Sequence, residues 1–360
     1  MSLIKQEKRQ IVLNQLLVIG NGFDLANGVK TSYSSFFESD YFQCEKEKAF
    51  RWRKFFNEQG IMLYRNLNFI EFDDMNWWAL LFCLESEGRL NSAKAIKWCD
   101  VENVIYNSLT NSKSDSFSWE FVREVLNNRA SGRKHHMGDP PNYRLLELDN
   151  SNINIKIVAE YLYQLHKQED YCFDKTAFYK QLLLELNKFE ELFGLYIKQA
   201  TSSRTYYDDA WNLVNRLLGT KSDVQIDSFN YSDFSTSSTY IRHVNGDYDA
   251  PIFGINLSVE EEDKYPELRQ FTKTSRWIHQ DIENLNKNTV WKSLLIDKAV
   301  VFGHSLNQMD YDYYYYLFTL LQFHTFDLKK WGELSFGTKI MTLNMERSSG
   351  TTMQIQYLIW

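Results

Sequence analysis

The stretch QLLVIGNGFD, residues 15 to 24, runs an apolar segment into two glycines one residue apart and then an acid. Leu16 to Ile19 carry no polar side chain, the pattern of a strand buried on both faces in a parallel sheet. Gly20 and Gly22 let the backbone turn sharply and expose its N–H groups at a helix start, which is a place for a phosphate group, with Asp24 just beyond. The dinucleotide fingerprint G-x-G-x-x-G/A is not met: Leu25 stands where a small residue is needed, and no acid ends a second strand about 20 residues later. The competing structural reading is a tight strand-to-helix turn with Asp24 as its cap.

Working outward, further short runs rich in Val, Ile and Phe predict strands at 224–230 (VQIDSFN), 239–244 (TYIRHV), 250–255 (APIFGI) and 299–303 (AVVFG), and KIMTL with MQIQYLI near the end predicts a final hairpin. From 41 to 222 the periodicity is helical: Phe178, Leu182, Leu186, Phe189, Phe193 and Tyr196 repeat on one face, the signature of a core. The expected fold is α/β, a mainly parallel sheet with flanking helices, whose first strand is followed by a large helical insertion. The expected domains are 1–40 with 223–360 as the α/β nucleotide-binding domain and 41–222 as a helical cap. Residues 129–144, with half of the prolines, predict an exposed loop, and the acidic run 259–267 a solvated helix start or loop.

Composition narrows the classes. With 44% hydrophobic and 16% aromatic residues, the 360-residue chain can bury a sizeable core and is not a disordered protein. The net charge of −7 gives no general attraction to nucleic acid or to an anionic membrane. The apolar run 77–84 is far shorter than the roughly 20 residues that cross a bilayer, so no membrane is expected. Asn14 and Gln15 interrupt the early apolar stretch, so no export signal is read. Cys44, Cys83, Cys99 and Cys172 form no C-x-x-C pair, so the expectation is reduced thiols in a cytoplasmic protein and no metal.

Three more constellations end strands. Asn230, in the polar triplet Asn230-Tyr231-Ser232, offers an amide donor and acceptor for a ribose hydroxyl or a water, or alternatively closes a local turn. His243 is a candidate general base or a structural histidine, and Asn245-Gly246-Asp247 predicts a turn. Gly303, His304, Ser305 and Asp310 follow the strand at 299–303, but Asn307 breaks a serine-hydrolase elbow. Tyr313 to Tyr316 circle a helix, so some rings pack in the core while others face a cleft or a subunit contact, as in a homo-oligomer.

The order of these motifs, a strand with GNGFD, a strand with FNY, HVNG followed by IFGIN, FTK at 271–273, and a strand with GHSLNQMD, resembles the AbiH family of bacterial phage-defence proteins. AbiH proteins are in turn similar to sirtuin-like enzymes that bind and often hydrolyse NAD, so the resemblance implies that the α/β domain has a sirtuin-like, Rossmann-type fold. The resemblance implies that Gly20, Asn21, Gly22, Phe23 and Asp24 form a nucleotide loop and that Asn230 holds ribose and water near the nicotinamide bond. It implies that Gly303, Ser305 and Asp310 contact the adenosine side, with Asn245, Gly246 and His304 completing the pocket. It further implies a histidine before Gly246, where this sequence has Asn245, so His243 and His304 become the candidate bases. The implied function is an abortive-infection effector, triggered by an unknown phage signal, that binds NAD or a related adenine nucleotide and hydrolyses its nicotinamide–ribose bond. The alternatives are a catalytically impaired nucleotide sensor, favoured by Asn245, and behind it a nuclease or RNA-binding toxin acting through the basic loop at 129–144.

Overall fold

The apolar run that opens the sequence becomes β1 (Asn14–Ile19), an inner strand of a sheet in the computed structural model. The structure describes residues 14–59, 74–90, 101–111, 116–132, 152–166, 174–219, 223–236, 241–284, 298–304, 310, 313–314, 340–346 and 350–356. The other strands are β2 (Asp223–Ser228), β3 (Ile241–His243), β4 (Lys298–Phe302), β5 (Ile340–Glu346) and β6 (Gly350–Gln356). The described helices are α1 (Gly22–Ala26), α2 (Tyr33–Phe37), α3 (Asp40–Gln59), α4 (Trp77–Leu90), α5 (Val101–Thr110), α6 (Trp119–Gly132), α7 (Ile153–His166), α8 (Lys175–Ala200), α9 (Arg204–Leu218), α10 (Val259–Lys264) and α11 (Lys273–Asn284). None of the described helices is long and apolar enough to cross a membrane. The chain divides into two units, the first gathering the described residues within 1–31, 197–248 and 281–360, the second those within 32–196 and 249–280.

The first unit is α/β. Its sheet has the order β3-β2-β1-β4-β5-β6, with the first four strands parallel and β5 and β6 paired antiparallel as the terminal hairpin read from the sequence. Leu17, Ile19, Ile226, Val300 and Phe302 share one face and pack with Tyr206, Ala210, Leu213, Val214 and Leu218 of α9. Leu16, Val18, Ala299 and Val301 alternate with them, face the other way and are also buried. Burial on both faces explains why β1 lacks the polar alternation of a half-exposed strand, and each such side chain contributes roughly 1.5–3 kcal/mol. The Gln15 amide donates to the Leu218 carbonyl at 3.2 Å, and the chain leaves α9 at Gly219, whose φ of +85° suits glycine.

The second unit is helical. Phe178, Leu182, Leu186, Phe189, Phe193 and Tyr196 of α8 are buried as their spacing predicts; Phe178 packs with the rings of Trp77 and Trp119, and Phe189, Phe193 and Tyr196 with those of Phe36, Phe37, Phe42 and Phe82. The acidic run begins a helix as read: Ser258 and Glu261 form a reciprocal capping box at the start of α10.

One predicted strand is corrected. Residues 250–255 join no sheet; the segment is extended and makes an isolated bridge from Ile255 to Thr272. Its polar groups are met outside any sheet: the Phe253 N–H donates to Glu190, the Phe253 carbonyl accepts from the Arg276 guanidinium, the Ile255 N–H donates to Phe271 O at 2.9 Å, and the Ile255 carbonyl accepts from the Lys273 N–H at 3.0 Å. The apolar pattern came from burial of Ile252, Phe253 and Ile255 and not from strand pairing. Cys99, Cys172, most of the loop at 129–144, Tyr315 and Tyr316 lie outside the described residues.

Candidate functional site at the carboxyl edge of the sheet

The parallel strands end in step. Ile19 pairs with Ser228 on one side and Phe302 on the other, and Ser228 pairs with His243, so the four segments that follow emerge along one edge. Strand order reverses between β1 and β4, since β2 and β3 are laid down on one side of β1 and β4 on the other. Such reversals leave a crevice at the carboxyl ends of the strands.

At that reversal two glycine turns interlock. A Cβ on Gly20 would lie 2.5 Å from the His304 Cα, one on Gly22 would lie 2.6 Å from the Gly303 Cα, and Gly303 itself has φ +68°. The amides that the sequence offered to a phosphate are spent on this contact: Gly20 N–H donates to Phe302 O at 3.0 Å, Gly22 N–H to Gly303 O at 2.8 Å, and Phe23 N–H to Gly20 O at 2.8 Å. Asn21 and Asp24 N–H have no main-chain acceptor among the described residues. The Phe23 ring is core, stacked 5.2 Å from Phe234 and edge-on to Phe302 at 6.3 Å.

Asp24 is 0% exposed and sits among hydroxyls. Tyr206 donates to Oδ1 at 2.8 Å, Thr31 to Oδ2 at 2.9 Å, and Ser232 reaches both oxygens at 2.9 and 2.8 Å. Burial nevertheless pushes its pKa up, because the hydroxyl bonds and the nearby Asn230 amide only partly offset the loss of water. Asn230 is 4% exposed, and its main chain is fixed by Ser228, whose Oγ accepts from Asn230 N–H at 3.1 Å. The Asn230 Nδ2 is buried with no hydrogen-bond partner among the described residues. An open buried donor costs about 1–3 kcal/mol, so a group held this way is a candidate ligand contact.

Beyond Asn230 the chain meets two histidine–carboxylate pairs. His243 sets Nδ1 3.4 Å from Asn230 O and Nε2 3.3 Å from Asp233 Oδ1. Burial works against ionisation of Asp233, but bonds from His243 and from the Ser235 N–H and hydroxyl outweigh it and hold the carboxyl below its usual range. Asn245 points at the same loop, its amide 3.4 Å from Phe229 O, and Gly246 turns with φ +76°. His304 lies 3.4 Å from Asp310 and packs on Phe229 with ring centroids 4.3 Å apart. Beneath this edge Arg242 binds Asp227 in bidentate fashion at 3.0 and 2.5 Å, and Tyr313 donates to the same carboxylate.

Of the residues singled out from sequence, Gly20 to Asp24, Asn230, His243, Asn245, Gly246, Gly303, His304 and Asp310 belong to the first unit, and Ser305 lies outside the described residues. The reading missed Thr31, Tyr206, Ser232 as an Asp24 ligand, and Asp233. Only Asp233 had a local signal, an acid three positions after Asn230. No group of three or more His, Cys, Asp or Glu among the described residues could hold a metal ion.

The first unit is thus of the α/β class, with glycine turns and buried polar groups gathered at the carboxyl edge of its parallel strands. The profile of the family described as Bacteriophage abortive infection AbiH matches residues 16–329, and the chain belongs to that family. Membership suggests a role in abortive infection, a defence against bacteriophage. No curated protein and no solved structure matches the chain.

Proposed function

We propose that this protein is an abortive-infection effector that binds NAD or a related adenine nucleotide at the carboxyl edge of β1, β2 and β4 and hydrolyses the bond between nicotinamide and ribose. The observation that carries the reading is the buried, open Nδ2 of Asn230 beside the switch between β1 and β4. The strand order β3-β2-β1-β4 is that of a Rossmann-type half, which supports a sirtuin-like relationship and a nucleotide as ligand.

The chemistry asks for little beyond positioning. As nicotinamide leaves, positive charge builds on the ribose, and a water must stand on the opposite face. Asn230 Nδ2 would hold a ribose hydroxyl or that water. His243 would take the water's proton, with Asp233 orienting the ring; its contacts of 3.4 and 3.3 Å are long enough to be displaced by a ligand. Because the amides of Gly20, Gly22 and Phe23 are engaged, the phosphates would rest on the remaining N–H groups of the turn and on the Asn21 side chain, which is exposed.

A second reading, a sensor that binds without turnover, is favoured by Asn245. Its amide holds the Phe229 carbonyl, and an asparagine cannot accept a proton near neutral pH. Purified protein incubated with NAD separates the two. Nicotinamide release that falls about 10²-fold or more in Asn230→Ala supports hydrolysis. Calorimetric binding with no release over hours supports the sensor, and the absence of both removes NAD as ligand.

A further inference from the structure

We propose that the exposed line Leu184, Lys188, Glu191 and Leu195 on α8 is a self-complementary interface, on which a second copy of this chain lays the same line antiparallel across a two-fold axis. The four positions are separated by four, three and four residues, so they fall in one row on the helix face opposite the buried Leu182, Leu186, Phe189 and Phe193. Leu184 and Leu195 are 46% and 55% exposed, and the Lys188 side chain 58%. Glu191 is exposed too, and the half-buried Leu183 and Leu192 border the row on either side.

An exposed leucine by itself is ordinary surface. What singles out this row is its order, apolar, positive, negative, apolar, symmetric about the midpoint between Phe189 and Glu190. The spacing is that of a coiled-coil seam, against which a second helix packs about 8–10 Å away. A two-fold axis through that midpoint would set Leu184 against the partner's Leu195 and Lys188 against the partner's Glu191, and each contact would occur twice. Parallel pairing in register would bring Lys188 to the partner's Lys188 and Glu191 to the partner's Glu191, so charge selects the antiparallel arrangement. Lys188 can serve both sides: its Nζ donates to the buried Glu185 of its own helix at 2.6 Å, and an ammonium group carries three donors. From Leu184 to Leu195 the row is only about 16 Å long, so the dimer it supports is weak and forms with rising protein concentration.

This pairing is independent of the nucleotide site, and sedimentation of the purified protein without NAD tests it. Wild type is expected to pass from monomer to dimer across the micromolar range. Leu184→Glu and Leu195→Lys change exposed positions, so each should keep the melting temperature of wild type. Each should weaken the dimer by about tenfold or more, because the altered layer occurs twice. Joined in one chain, the two substitutions put opposite charges face to face in both outer layers. The double variant should dimerise at least about threefold more tightly than either single variant at low salt, and lose that gain at high salt. The two positions lie about three turns apart, too far to act on each other within one helix, so such a recovery arises between copies. A wild type that stays monomeric overturns self-pairing and leaves the row to a different partner. A dimer that the single variants leave intact, or a double variant no tighter than the singles, overturns it as well, since either result places the interface or its register elsewhere.

Discussion

Gly22 and Gly303 meet back to back, each occupying the space where the other's Cβ would stand: 2.6 Å separates a Cβ on Gly22 from the Gly303 Cα, and the same distance separates one on Gly303 from the Gly22 carbonyl carbon. The contact joins the ends of β1 and β4, so backbone would have to move to admit a methyl group. Gly303→Ala should cost about 2–4 kcal/mol, adding overpacking to the penalty of positive φ. Gly28 is the control, because it has φ +73° with nothing within 4 Å of its absent Cβ. Gly28→Ala should cost only about 1–2 kcal/mol. Urea unfolding of the two variants measures the difference, and equal losses would show that the close approach carries no weight.

Asp24 sets a pH dependence whose sign follows from burial. Its pKa is raised in the folded protein, so the folded chain holds the proton at pH values where the unfolded chain has released it. Stability from this group is therefore lost as pH rises from the ordinary aspartate range through the raised value. Asp24→Asn has no such titration. The melting temperature of Asp24→Asn relative to wild type should climb as pH rises above the ordinary aspartate range, and a flat or falling difference would contradict the burial account.

The sheet and its edge were legible because strand burial is written locally: Leu16 to Ile19 and Ala299 to Phe302 are apolar without interruption, and each ends on glycine. Asn230 and His243 were legible as polar residues where apolar strands stop. The ligands of Asp24 were not, since Tyr206 is 182 positions away on a helix whose pattern shows only that it has a buried face. The role of the glycines in gripping each other was equally hidden, because it depends on two turns about 280 residues apart meeting at a strand reversal. Residues 250–255 misled for the complementary reason. Their backbone partners are the side chains of Glu190 and Arg276 and the distant main chain of Phe271 and Lys273, which no periodicity within the segment reveals.

That segment yields the third prediction. Arg276 is buried and joins Glu190, the Phe253 carbonyl and Asn187 Oδ1, the last at 2.8 Å. Burial already pushes the Glu190 pKa up against the attraction of Arg276. Arg276→Met would leave that carboxylate buried without a counter-charge, at a cost of about 3–5 kcal/mol. Arg276→Lys should recover less than half, since an ammonium cannot match the fork that reaches all three acceptors. Chemical denaturation tests both, and a loss below about 1 kcal/mol in Arg276→Met would mean that the pair is not what fixes residues 250–255.

On the proposed reading, His243 and Asp233 act as one unit. His243 lies between the Asn230 carbonyl and the Asp233 carboxylate, and the Asp233 pKa is held low although burial opposes it. A lowered folded-state pKa means that Asp233 adds stability above the ordinary aspartate range and loses it as acid protonates the group. The stability gap between wild type and Asp233→Asn should then close on acidification below about pH 4. In nicotinamide release, His243→Ala should lose about 10² to 10⁴-fold, the usual worth of a positioned base. Asp233→Asn should lose less, and the double variant should fall no further than His243→Ala alone, because an orienting carboxylate has nothing to act through once the imidazole is gone. Losses that simply multiply would place Asp233 outside the proton path and leave His243 to work without it.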